Sequence, residues 1–335
     1  MTWKEFEFDE DKVHNRLPWL LLEAPSVLSC KDGSYIGVLE YETIKNSSFT
    51  LDFPEFVEGW SIISEKQHTP GFDRNLLVIT WNPIKNNTGK IYNALSRRYK
   101  VPVENFEDAI KYFQSCLNKI TPCRLLEGQE IFDFLSFQLS IGTQENTPMP
   151  DIPLFMDVLL TQDLDIVFKP NGINIGNKTL AVYTLPDTSS QEDLNILETG
   201  IRKLNYRHER RLLLFSNTQA AKEQERLLNE WCKGRKSIKE LITKDLLGQI
   251  NGYYRDAFIF LLDEDRKEFI ESFFEKLLNT LEIPYLNESY NLKDIWWGSL
   301  AGMFRCDINP PIVGFNSICD ILQHEPDKEY KEEAQ

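Results

Sequence analysis

The chain has 335 residues, 41% of them hydrophobic and 27% charged, with a formal net charge of -15. That composition can bury more than one core and excludes a disordered tail, and the acidic balance argues against broad electrostatic binding to nucleic acid or anionic lipid, although a local basic patch can persist within it. Six cysteines without a Cys-x-x-Cys and four histidines without metal-helix spacing argue against a zinc site and leave the cysteines as buried thiols of a reducing compartment.

Residues 1–16 are polar and acidic and read as an arm without the features of a signal peptide. The apolar run Leu17 to Leu22 is interrupted by Glu23 and is far short of the ~20 residues that a membrane span needs, so the chain is not expected to cross a membrane. Val27 to Cys30, then Lys31-Asp32-Gly33-Ser34, then Tyr35 to Tyr41 predicts a hairpin, because Asp-Gly supplies the positive φ of a tight turn. A connection rich in proline and glycine (Pro54, Gly59, Pro70, Gly71) leads to a strand over Asn75 to Trp81. Phe106, Ile110, Phe113 and Leu117 recur at helical spacing, and a further helix is predicted over Glu130 to Leu139. These elements make a first α/β lobe, residues 1–145, with Gly142 to Asp151 and its Pro148 and Pro150 as the boundary.

The second lobe, residues 146–325, begins with a helix over Leu154 to Leu160 and a turn-rich stretch from Phe168 to Thr179. It continues with a strand (Leu180 to Leu185), a helix (Leu194, Leu197, Ile201, Leu204), a strand (Leu212 to Phe215), a helical insertion (217–249), and a strand (Ala257 to Leu262). A helix (Glu264 to Leu281), a strand near Pro284 to Leu286 and a polar tail, residues 326–335, complete it. Two strand, helix, strand units in tandem predict an α/β (α+β) fold whose second lobe is a ferredoxin-like split βαβ sheet interrupted by the insertion. Phe269, Ile270, Phe273, Phe274, Leu277, Leu278 and Leu281 form one helical stripe, which places Phe273 in a core, and Asp263 is positioned to cap that helix.

Leu261-Leu262-Asp263-Glu264 also looks like the magnesium-holding strand of a phosphate-loop ATPase. A nucleotide site needs a glycine-rich loop with Lys-Ser/Thr as well, and Gly89-Lys90 lacks both the earlier glycine and the following hydroxyl, so the strand-end reading prevails. No triad, nucleophile elbow, paired-carboxylate motif or dinucleotide fingerprint stands out, and neither a cofactor nor a metal is expected.

The insertion is mostly polar with a thin apolar stripe. Leu227, Leu228 and Trp231, with the cations Lys233, Arg235, Lys236 and Lys239, are candidate partner contacts beside the plainer reading of a solvated connector. Arg202, Lys203, Arg207, Arg210 and Arg211 cluster where a helix feeds a strand and are expected to satisfy helix-end carbonyls. Trp296-Trp297 reads as core more readily than as an exposed contact, with Gly298 and Gly302 permitting a tight turn.

Several separated stretches resemble the N-terminal domain of the conjugative and type IV secretion ATPases, the CagE, TrbE and VirB component family. These are Leu17-Pro18-Trp19, Lys31-Asp32-Gly33-Ser34, Pro153-Leu154 with Asp157, Leu159-Leu160 and Asp163, and Tyr206-Arg207 leading to Leu212. Trp297-Gly298-Ser299-Leu300-Ala301-Gly302, then Asn309-Pro310-Pro311 and Asp320-Ile321-Leu322, is similar to the family's Gly-Ser-Leu-Pro-Gly stretch and the residues beyond it, with Ala301 in place of the usual proline. In that family the ATPase module comes after this domain, and this chain ends about where it should begin. The resemblance therefore implies a non-catalytic N-terminal domain or subunit that oligomerises at the cytoplasmic face of the inner membrane. Its implied partners are the ATPase module and other inner-membrane secretion components, with self-association and without direct nucleic-acid binding. A stand-alone adaptor, or an ATPase subunit completed by a separate chain, is the alternative.

Overall fold

The computed structural model describes residues 17–44, 60–81, 103–144, 148–149, 156–161, 164–169, 172–185, 189–214, 250–289, 291–303, 312–315 and 322. Their framework is one 13-stranded sheet in which every pair is antiparallel.

The hairpin around Asp32-Gly33 forms as expected between β2 (Val27–Cys30) and β3 (Tyr35–Tyr41). Gly33 adopts φ 84°, and Asp32 Oδ1 accepts from the backbone N–H of Ser34 at 3.0 Å. The pair is not the outermost one: the apolar run before it is itself a strand, β1 (Trp19–Ala24), paired to β2. The supposed connection before residue 72 is also a strand, β4 (Trp60–Thr69), joined to β5 (Phe72–Trp81) through a turn in which Gly71 takes φ 102°. Pro70-Gly71 is thus the tip of a hairpin and not part of a long loop, since the same residue types serve both.

Helix α1 (Val103–Leu117), the short strand β6 (Cys123–Leu125), α2 (Gln129–Ser140) and α3 (Met156–Thr161) come next. The turn-rich stretch is in fact a small meander, β7 (Ile166–Lys169), β8 (Gly172–Ile175) and the start of β9 (Lys178–Leu185). Then come α4 (Gln191–Ile201), β10 (Tyr206–Leu214), β11 (Ile250–Asp263), α5 (Lys267–Thr280), β12 (Leu286–Asn287), α6 (Leu292–Gly298) and β13 (Ile312–Phe315). Strand β10 begins well before Leu212, so its charged residues lie inside the sheet.

The sheet order is β1-β2-β3-β5-β4-β10-β11-β9-β8-β7, with β12 beside β9, β13 beside β11 and β6 beside β3. Strands from before and after residue 145 share it through the β4–β10 pair, Ser61 to His68 against Tyr206 to Leu213. Alternation along the strands sends side chains to two faces. One face carries the core shared by α2, α3 and α6. The other carries two cores, one under α1 and one under α4 and α5. Trp296 and Trp297 are buried in the first of these, as expected of a core pair.

Two expectations for the α5 region fail. Phe273 is 44% exposed and Phe269 76%, while Phe274 and Leu278 are the buried positions. Asp263 is extended and precedes a single 3-10 turn, Glu264–Arg266, without a side-chain cap bond; it lies 3.9 Å from Lys178 Nζ instead. No helix among the described residues is long and apolar enough to cross a membrane.

Candidate functional site

The centre of the sheet, where β4, β10 and β11 adjoin, is charged on both faces. Along Tyr206-Arg207-His208-Glu209-Arg210-Arg211-Leu212 the period of two sends Arg207, Glu209 and Arg211 toward α2 and α6, and His208 and Arg210 toward α4. All five are buried. Burying charge is tolerable only when it is paired and hydrogen-bonded, and the partners are close at hand.

On the α6 side the arginines converge on one turn. Arg207 donates to Ser299 O at 3.1 Å and to Ser299 Oγ, and its Nη1 lies 3.5 Å from Glu65 Oε2. Arg211 donates to Leu300 O at 3.1 Å and Met303 O at 2.6 Å, and Arg255 to Gly298 O at 2.9 Å. Trp19 Nε1 donates to Ala301 O at 2.9 Å. Five carbonyls at and beyond the end of α6 thus receive buried donors, where a helix terminus would leave its last carbonyls without partners. The Ala301 N–H is used too: it donates to Gln138 Oε1 at 2.9 Å, a bond that proline, usual at this place in the resembled family, does not make. Gly302 holds φ 82°, and a Cβ there would come within 2.8 Å of Ile36 and 3.0 Å of Cys30 Sγ, so glycine is required for conformation and for space.

Beneath this turn, Glu65 accepts from Gln67 Nε2 and from Gln138 Nε2, each at 2.7 Å. Burial pushes the Glu65 carboxyl up, and Arg207 with the two amides opposes that without prevailing. Glu209 meets the same burial, but Arg255, Arg211 and Arg207 together hold it below the usual carboxylate range.

On the α4 side His208 lies between two carboxylates, Nδ1 to Glu198 at 2.8 Å and Nε2 to Asp256 at 2.8 Å, with its ring stacked on Phe258. Lys66 Nζ reaches the other Glu198 oxygen at 2.5 Å. Burial disfavours the imidazolium, yet the two carboxylates raise His208 above its ordinary value. Burial likewise opposes Glu198, but His208 and Lys66 pull it down to about 2. Both ring nitrogens face acceptors, so the ring is doubly protonated and has no nitrogen left to act as a base.

A cleft of about 420 Å³ opens between α2 and the β4–β5 hairpin, with Gln67 in its wall and Phe72 at 47% exposure. Arg74 pairs with Glu40 at 3.0 Å, and Arg124 with Glu40 and, at 2.5 Å, with Glu130.

The sequence-derived contact residues Leu227, Leu228, Trp231, Lys233, Arg235, Lys236 and Lys239 lie outside the described residues. The basic cluster Arg202 to Arg211 is divided. Arg202 and Lys203 are exposed. Arg207 and Arg211 do satisfy helix-end carbonyls, but those of α6, some ninety residues away, and not of the preceding helix. Sequence reasoning missed Glu65, Gln138, Glu198, Asp256 and Arg255; the available signal is a strand-length run alternating Arg, His and Glu between Tyr206 and Leu212.

No family model matches the chain. Over 227 residues, 59% of its length, it is 25% identical to a probable conjugal transfer protein TrbE of Sinorhizobium fredii, and over 297 residues, 74% of its length, 22% identical to the conjugal transfer protein TrbE of Rhizobium radiobacter. Those alignments cover 33% and 36% of the two relatives, so the chain spans about a third of the curated relatives it matches. The first hairpin, the Tyr206-Arg207 strand and the Gly298 to Gly302 turn, which carried the resemblance, are joined in one sheet and its clamp, and the chain is related to the TrbE conjugal transfer proteins.

Proposed function

We propose that this chain is a non-catalytic N-terminal domain or subunit of a conjugal transfer, type IV secretion ATPase, and that it mediates assembly with the ATPase module and inner-membrane components at the cytoplasmic face. The observation that carries this reading is the clamp on residues 298–303. The buried cations of the central strands are committed to holding a turn that resembles the family's own, so their charge serves architecture and not a reacting group. The two-lobe reading, with a ferredoxin-like second lobe, is supported by the order β12-β9-β11-β10 and by α4 and α5 lying on one face. Partner contact falls to the insertion, through Leu227, Leu228 and Trp231 and the cations Lys233, Arg235, Lys236 and Lys239.

The test is calorimetric titration of the chain with ATP, alongside capture of the separately produced ATPase module. Capture without micromolar ATP binding is expected, and replacing the four cations with Glu weakens capture at low salt while leaving the melting temperature in place. Micromolar ATP binding that disappears in Asp263→Asn overturns the non-catalytic reading in favour of an ATPase subunit completed by a second chain.

A further inference from the structure

The cleft between α2 and the β4–β5 hairpin is left with an unequal set of hydrogen-bonding groups. Gln67 is fully buried in its wall, and its amide nitrogen donates to Glu65. Gln67 Oε1 is then a buried acceptor without a partner. Gln144, just past α2, lines the same cleft and also presents a buried Oε1 without a partner. Gln67 cannot turn to satisfy itself, because Glu65 is bonded in turn to Gln138, and Gln138 to the Ala301 N–H. No unpartnered buried donor side chain lines the cleft among the described residues, so the surplus is of acceptors alone.

Charge leans the same way. Three carboxylates, Glu40, Glu130 and Asp133, line the cleft against two guanidiniums, Arg74 and Arg124, a balance of one negative charge. Both guanidiniums are engaged by the first two carboxylates, whereas Asp133 accepts the Gln129 amide at 2.7 Å. Buried acceptors beside an excess carboxylate favour a ligand that brings donors and positive charge.

We propose that this cleft is a binding site for a guanidinium or alkylammonium group, held by Gln67 Oε1, Gln144 Oε1 and Asp133 with the exposed ring of Phe72 at its side. A volume of about 420 Å³ is ample for one such group with its stem. The cation comes either as a free small molecule or as a basic side chain of a partner segment. The site is separate from the assembly role proposed above, and its test uses neither ATP nor the ATPase module.

Acetyl-arginine-amide, its neutral counterpart acetyl-citrulline-amide and a short peptide carrying one central arginine are titrated into the full chain by calorimetry. Saturable binding of the arginine probes, at least about tenfold tighter than that of the citrulline probe, is expected. Equal affinity for the free compound and the peptide assigns the site to small molecules, and a peptide about tenfold tighter assigns it to a partner's side chain. Gln67→Leu removes the central acceptor but also deprives Glu65 of a donor, so Gln144→Leu and Asp133→Asn decide the matter if that variant does not fold. Each is expected to weaken arginine binding by about tenfold with the melting temperature held. Absence of saturable binding up to about 10 mM, citrulline binding as well as arginine, or undiminished affinity in both Gln144→Leu and Asp133→Asn overturns the proposal.

Discussion

Helix α1 and the helix pair α4 and α5 cover two halves of the same sheet face, and they are attached by different means. At 3.6 residues per turn, Phe106, Ile110, Phe113 and Leu117 fall within about 60° of arc, and all four are buried. The seven apolar positions of α5 spread over about 180°. Exposure tracks the angle: Phe269 and Phe273 at one margin are exposed, Ile270, Leu277 and Leu281 are partly buried, and Phe274 and Leu278 face the sheet. The remaining attachment of this half is ionic, through Lys66, Glu198, His208 and Asp256 beneath α4. A long apolar series identifies the helix, and only its angular centre identifies the core.

The largest expected effect tests whether the two halves are equal where they are apolar. Phe274→Ala removes a ring set edge-on to Tyr183, Phe258 and Phe260, at 5.0, 5.6 and 5.3 Å between centroids. Phe106→Ala removes the ring packed on Tyr35, Trp60 and Trp81. Each is expected to cost about 3–5 kcal/mol in urea unfolding. A loss below about 1 kcal/mol for Phe274→Ala would show that α5 is not anchored there.

The next effect separates the halves by pH. Glu198 is depressed from an ordinary value of 4.5 to about 2, so its contribution is present above about pH 4.5 and is lost as pH falls toward 2. His208 is raised above 6.5, so its contribution is complete below that and is lost as pH rises through the folded-state value. The tie under α4 is therefore fullest between about pH 4.5 and 6.5, and each group changes stability by at most about 1.4 kcal/mol per pH unit. Glu198→Gln should flatten the acid limb and lower stability at pH 5.5, while Phe106→Ala shifts the whole curve without changing its shape. A pH profile in Glu198→Gln that keeps the same acid limb would show that the limb belongs to other carboxylates.

Smaller effects mark the angular limit of the α5 core. Phe273 touches the neighbourhood of Gly200 at the α4–α5 seam, so Phe273→Ala should cost about 1 kcal/mol or less. Phe269→Ser should stay within about 0.5 kcal/mol of the parent, because the ring is 76% exposed. A loss of about 3 kcal/mol for either in denaturant unfolding would return that side chain to the core.

Local periodicity and turn chemistry by themselves determined the first hairpin, the α1 and α2 helices, the burial of the tryptophan pair, and the strand and helix succession from Leu180 to Leu286. These depend on residues a few positions apart, which sense the same backbone geometry. The short motifs spread from Leu17 to Leu322 also carried the relation to TrbE. Only the tertiary structure decided that Tyr206 to Arg211 is buried strand, because its alternating charges become tolerable through Glu65, Asp256 and Ser299, which lie far away in sequence. The same holds for β4, whose polar residues look solvent-facing until β10 pairs with them, and for Gln67, whose buried oxygen has meaning only beside α2. A charged residue in sequence carries no sign of its partner, and burial of charge is decided by the partner.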